Sequence, residues 1–167
     1  LPGFSRLLVR TAYNDYQHTE LENGVTGTKF DSNAWESRVE LVHNPVAGWE
    51  GAVGVQYTDR EYGAVGAEAF IPRSTGIQNL GVFWIEEKHW DTQWVELGLR
   101  HERQTVAPDD GRGTVEHSAS SASLGYHWSP ADNHHFSALY SLAERAPSME
   151  ELLSDGAHIA TQTYDLG

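Results

Sequence analysis

Trp49-Glu50-Gly51-Ala52-Val53-Gly54-Val55-Gln56-Tyr57-Thr58 alternates strictly. Trp49, Gly51, Val53, Val55 and Tyr57 fall on one side, and Glu50, Gln56 and Thr58 on the other. A period of two is the mark of a strand with one apolar and one polar face. No helical period fits the same residues. The pattern recurs in both directions along the chain. Upstream, a run over about 4–19 sets Leu7, Val9, Thr11 and Tyr13 against Arg10 and Asn14, and one over about 33–43 sets Trp35, Ser37, Val39 and Leu41 against Glu36, Arg38 and Glu40. Downstream, a run over about 77–90 is apolar on both sides near Val82–Ile85, which leaves its register open. Another over about 93–105 sets Val95, Leu97 and Leu99 against Glu96, Arg100 and Glu102. Two more follow over about 115–128 (Ala122, Leu124, Tyr126, Trp128 against Ser121, Ser123, Gly125, His127) and about 134–145 (Phe136, Ala138, Tyr140, Leu142 against Ser137, Ser141, Arg145). An eighth starts near Thr161.

Runs this long exceed the strands of ordinary soluble sheets, about 5–6 residues. Their unbroken succession predicts an all-β, antiparallel up-and-down meander of about eight long strands. The connections alternate in length. Asn44–Gly48, Asp91-Thr92 and Ser129–Asn133 are tight; about 20–32, 63–76, 106–114 and 146–160 are longer. Short turns at one end and long loops at the other are the plan of a membrane barrel. Trp49, Trp90, Trp94, Trp128 and Phe136 lie near the tight turns, and Tyr13, Tyr16, Phe30, Trp35, Tyr57 and Tyr62 near the other end. Two aromatic belts at the headgroup levels are the expected reading.

Composition narrows the function. The chain has 167 residues, a formal charge of −13, no Cys and one Met. A face that neutralises nucleic-acid phosphates needs the opposite sign. Thiolate catalysis, disulfides and thiolate metal sites are excluded. The longest purely apolar run, Val82–Ile85, is far short of a transmembrane helix. The chain opens at Leu1 without an initiator Met and stops at Thr163–Gly167 in what reads as a strand, as expected of a fragment.

Ser148 and Glu151 form an S-x-x-E capping box after Pro147, which predicts a helical turn over about 150–154 ended by Gly156. Too short to stand alone, it should pack on the barrel rim. Nine His are present, and none sits in a recognised catalytic or metal motif. His134 and His135 point to opposite faces of a strand, and with His43 and His89 fit the tight-turn interface. His158 stands apart in a long loop near Asp155, and the two are the candidate metal ligands. Glu68, Asp109, Asp110 and Glu116 with His117 are further acidic loop candidates. No nucleophile–base set is visible, so an enzyme is not expected.

The stretch from Arg145-Ala-Pro-Ser-Met-Glu-Glu-Leu-Leu to Thr163-Tyr-Asp-Leu-Gly167 closely resembles a late-barrel segment of TonB-dependent outer-membrane receptors. Its continuation, Gly156-Ala-His-Ile-Ala-Thr-Gln-Thr-Tyr-Asp-Leu-Gly167, looks most like the zinc-uptake branch. Gly51–Tyr57, Glu86-Glu87 and Leu97–Arg103 are similar to strands of that branch. The resemblance implies that residues 1–167 form part of a transmembrane barrel of roughly 22 strands in the bacterial outer membrane. It also implies a plug domain, absent here, through which an inner-membrane TonB complex drives uptake. Zinc would be the transported substrate, with siderophore, haem or cobalamin as other cargoes of the family, and no bound cofactor is expected. His158 matches a plausible metal ligand whose partners would come partly from the plug. Outer-membrane lipid is the expected partner of the apolar face. Open sheet edges would let an isolated fragment self-associate. A soluble β-rich module binding carbohydrate through exposed Trp and Tyr is the competing reading.

Overall fold

The computed structural model describes residues 2–22, 24–66, 69, 71–158 and 163–166; for Glu22, Ala157, His158, Thr163, Tyr164 and Asp165 it describes the backbone alone. Seven strands follow one another in a single sheet: β1 (Phe4–Glu22), β2 (Val25–His43), β3 (Trp49–Gly66), β4 (Thr75–Trp90), β5 (Gln93–Pro108), β6 (Val115–Ala131) and β7 (His134–Ala143). Each pairs antiparallel with the next, in sequence order, with no crossover. A short helix, α1 (Met149–Leu153), and a separate hairpin of β8 (Asp155–His158) and β9 (Thr163–Leu166) complete the described elements.

The expected meander is present, and its tight turns fall where the sequence places them. Val46 and Trp49 exchange two backbone hydrogen bonds of 3.0 Å around Ala47 and Gly48. Both central residues have positive φ, 52° and 81°. That is the sense of twist a two-residue hairpin needs, and Gly48 takes it without strain. Asp91-Thr92 and Asp132-Asn133 close the other two turns at this end.

Three expectations need correction. First, residues 20–32 are not a loop. β1 runs on to Glu22 and β2 already begins at Val25. The ladder continues where the alternation of the sequence stops, because the backbone hydrogen bonds between β1 and β2 need no apolar face to form. Second, β7 ends at Ala143, not near 145. Arg145 is drawn instead to Glu151, at 2.6 Å. Third, the last strand, β9, pairs with β8 rather than with β7.

The register settles the two faces. Leu7↔Leu41, Leu41↔Val53, Val53↔Trp84, Trp84↔Leu99, Leu97↔Leu124 and Leu124↔Tyr140 are directly opposed. Directly opposed residues share a face. Val39, Leu41, Val53, Val55, Leu97, Leu99, Leu124 and Tyr140 therefore line one side, and Glu36, Arg38, Glu50, Glu96, Arg100 and Glu102 the other. Within β4 the open register resolves to Leu80, Val82 and Trp84 on the apolar face. This face is uncovered: Leu99 is 52 % exposed, Leu124 48 % and Val55 43 %. Burying a Leu or Val side chain is worth about 1.5–3 kcal/mol, so a sheet of this size needs an apolar medium on that side. From Leu80 to Trp90, at about 3.4 Å per residue and a tilt of about 40°, the band is roughly 26 Å tall, close to the apolar belt of outer-membrane barrels.

The belts are narrower than the sequence suggested. Trp49, Trp90, Trp128 and Phe136 ring the tight-turn end of the apolar face, and Tyr13, Trp35 and Tyr57 the other end. Trp94, Tyr16, Phe30 and Tyr62 occupy the polar face, because each is an odd number of residues from its strand's apolar positions. Single cysteines at Val55, Leu99 or Leu124 should react only with a lipid-soluble maleimide in membranes, and cysteines at Glu36 or Glu102 with a water-soluble one. Equal labelling of both sets would show that the register is wrong.

Candidate functional site

The polar face is built of ionic and aromatic rungs. Arg38 reaches along its own strand to Glu40 at 3.0 Å and lies over the Phe83 ring, 4.0 Å from its centroid. The ring fits because residue 54 has no side chain: a Cβ on Gly54 would sit 2.2 Å from Phe83 Cζ. The same device repeats one strand pair on. A Cβ on Gly81 would meet the Arg100 guanidinium at 2.5 Å, and Arg100 is held at 2.9 Å by Glu102. Gln56 donates to Glu36 at 2.7 Å, and Arg60 to Ser32 at 3.0 Å while lying over Tyr62. These cross-strand links fix the register of a wet wall.

Near the tight turns the polar face carries a stack that sequence spacing did not reveal. Trp94 lies between His89 and His127, with centroids at 5.7 and 4.1 Å and rings nearly parallel. Glu87 stands 3.5 Å from His89, and Glu96 3.3 Å from His127. The three rings come from three strands, β4, β5 and β6, so only the register brings them together.

At the opposite end the polar face is roofed. Phe30, Ala64, Ile71, Val106, Met149 and Leu153 form a buried apolar cluster, with Tyr62, Ile77 and Leu152 against it. The strand residues of this cluster share the face of the rungs. α1 and the segment containing Ile71 thus fold over the outer mouth of the wall. α1 starts with the expected capping box: Glu151 N–H donates to Ser148 Oγ at 3.2 Å, and Ser148 N–H donates to Glu151 Oε2 at 2.7 Å. Its end differs from expectation. Ser154, not Gly156, is the C-cap, its N–H bonding the Glu150 carbonyl at 3.1 Å, and Gly156 lies in β8. A side chain of β5 and one from the connection that follows it tie the helix down. Gln104 donates to the Pro147 carbonyl at 2.8 Å, and Arg112 to the Leu153 carbonyl at 2.8 Å.

The acidic candidates are mostly engaged. Asp109 accepts from Ser74 N–H at 3.2 Å, Asp110 pairs with Arg112 at 2.6 Å, and Glu116 with Arg103 at 2.6 Å. Glu68 lies outside the described residues. Asp155 opens β8, opposite Leu166, and the His158 backbone pairs with Thr163 at the far end of the same strand. The His158 side chain lies outside what the structure describes. Among the described residues no group of three or more metal-ligating side chains converges.

The hydrogen bonds from Arg145, then that from Ser148 N–H, hold the Glu151 carboxyl down at about 2, against an ordinary 4.5. A carboxyl whose folded value is depressed contributes stability that is complete above its unfolded value and is lost as pH falls through its folded one. The docked helix should therefore loosen as pH falls from about 4.5 to about 2. Hydrogen exchange at Leu152 and Ser154 checks this, with Glu151→Gln expected to exchange fast at every pH. A second outcome tests the wall itself. Gly54→Val should displace Phe83 and weaken the fold by about 1–3 kcal/mol, the usual cost of overpacking, seen as earlier unfolding in a heating series.

A one-sided sheet with paired ionic rungs, a roofed mouth and tight turns closing its other end is the wall of an outer-membrane barrel rather than of a soluble sandwich. The model of the family described as TonB dependent receptor-like, beta-barrel matches residues 3–167. The chain belongs to the TonB-dependent receptors, as part of their β-barrel domain.

Proposed function

We propose that this chain is part of the wall of an outer-membrane receptor that takes up a scarce metal ion, zinc in first place, or a complex of one. The observation that carries the reading is the stretch from the capped helix into β8. Met149 and Leu153 are buried in the cluster roofing the polar face, and the chain passes from them, through Ser154, straight into Asp155. Asp155 thus follows directly on the roof, and His158 comes three residues later in the chain. Imidazole nitrogen and carboxylate oxygen suit zinc as readily as sulfur does. The net charge of −13 adds a field that concentrates cations, though salt limits its reach to about 8 Å.

Two ligands do not make a tight site, so further ligands would come from outside this chain, in keeping with a substrate that must be released. A plug inside the barrel, coupled to the inner-membrane TonB complex, would supply them and the energy for release. The wall's own part is to present the ligands and to keep the path wet. The rungs Arg38–Glu40 and Arg100–Glu102 serve the second purpose, since each cation is neutralised within its own strand and leaves no strong trap for a passing ion.

In the complete polypeptide carrying this chain, His158→Ala should weaken zinc binding by about tenfold or more, since removing even a supporting partner of a zinc site costs about 10- to 100-fold. Titration calorimetry on folded, detergent-solubilised protein reads this directly. Unchanged zinc affinity would remove His158 from the site. No zinc binding in the unaltered protein would turn the proposal from the free ion to a metal complex.

A further inference from the structure

The apolar face carries one feature that hydrocarbon contact does not explain. Lys88 lies on it, opposite Trp49 and Val95, at the level of the tight turns. The other basic residue described on that face within the band, Arg103 opposite Leu80 at the outer belt, is paired with Glu116 at 2.6 Å. Lys88 makes no salt bridge there. Its ammonium donates to the Ala47 carbonyl at 2.8 Å and stands 5.7 Å from the Trp49 ring centroid and 5.5 Å from that of Trp90. An ammonium has three donors, so two remain for a ligand.

The nearest carboxyl on that face, Glu86, does not cancel this charge. Glu86 Oε1 lies 2.8 Å from His43 Nε2 and 3.1 Å from Trp84 Nε1. His43 Nδ1 lies 2.6 Å from the Asn44 carbonyl, which can only accept, so Nδ1 carries a hydrogen. The contact at Nε2 then requires one further proton between imidazole and carboxyl. Whichever of the two holds it, the pair is neutral as a unit. Glu86 Oε2 is buried, close to where a Cβ on Gly51 would be, and out of reach of a ligand's ammonium. His43, Val46, Trp49, Trp84, Glu86 and Leu97 line a groove of about 430 Å³ here.

We propose that this groove, with Lys88 beside Trp49 at its edge, binds the headgroup of an anionic phospholipid of the inner leaflet. Lys88 takes the phosphate diester, and the indole and aliphatic walls take the glycerol and the upper acyl chain. The uncancelled single positive charge, with no acceptor free for an ammonium, favours a headgroup such as phosphatidylglycerol over a zwitterionic one. The inference rests on the reading of this sheet as an outer-membrane wall.

The test uses the complete polypeptide in detergent, titrated with phosphatidylglycerol or phosphatidylcholine and read by native mass spectrometry. The unaltered protein and Lys88→Arg should hold phosphatidylglycerol alike. Lys88→Gln should bind it about five-fold more weakly, the factor for about 1 kcal/mol, the usual worth of one basic side chain at an anionic surface. Equal binding by Lys88→Gln, or equal retention of phosphatidylcholine, overturns the site. Heat-modifiable gel mobility and membrane fractionation, run in parallel, keep the two readings apart. A folded, membrane-embedded protein with an unresponsive Lys88 refutes the lipid site alone, whereas a protein that is folded and soluble without detergent refutes the wall.

Discussion

A sheet with water on one side and hydrocarbon on the other tolerates no slip of register. Moving one strand by one residue would send its charges into lipid and its leucines into the lumen. In the bilayer core an unpaired backbone group also has no water to turn to. Both demands are met by one ladder, in which β1 to β7 pair in sequence order over nearly their whole length. Everything else in the molecule either pins that ladder or exploits the two faces it creates.

The pins are of three kinds. Hairpins fix the ends: the positive-φ pair Ala47 and Gly48 sets β2 against β3 within a single residue. Missing side chains fix the middle. The Phe83 ring occupies the space over Gly54, and the Arg100 guanidinium that over Gly81, so a shifted strand would drive a Cβ into each. Charge-assisted hydrogen bonds, Gln56 to Glu36 and Arg60 to Ser32, then join β2 to β3 across the polar face. Their role is to make the wrong register costly.

Above the membrane the constraint relaxes and the chain behaves like an ordinary soluble protein. Strands lose their apolar alternation, and an apolar cluster forms from Phe30, Ala64, Ile71, Val106, Met149 and Leu153. α1 has five residues and would not persist alone. It is held by burial of Met149 and Leu153, by its capping box, and by the Arg145–Glu151 pair. The roof over the mouth is thus a small water-soluble core grafted onto a membrane wall, and it positions the segment that leads to Asp155 and His158.

How much was legible depended on whether a property is local. The alternation of Val53, Val55, Leu97, Leu99, Leu124 and Tyr140, the tight turns and the S-x-x-E box each lie within a few consecutive residues, and the sequence alone determined them. It determined the two faces of the alternating strands as well, because a period of two leaves a strand only two sides, but left β4, apolar on both sides near Val82–Ile85, to the ladder. Which rings meet was decided by the tertiary structure. Trp94 looks like a belt residue by its distance from a turn, yet register turns it inward between His89 and His127. Phe30 and Tyr62 look like the outer belt until the roof folds onto them. The end of β1 was invisible, since beyond the outer belt the period of two stops and hydrogen bonding to β2 continues the strand. Lys88 and Glu86 stand two residues apart in β4, and nothing in that spacing tells their surroundings apart. Only the pairing of β2, β3 and β4 brings His43 and Gly51 to Glu86 and Trp49 to Lys88, because contacts between strands are made across the ladder and leave no trace in the spacing along the chain.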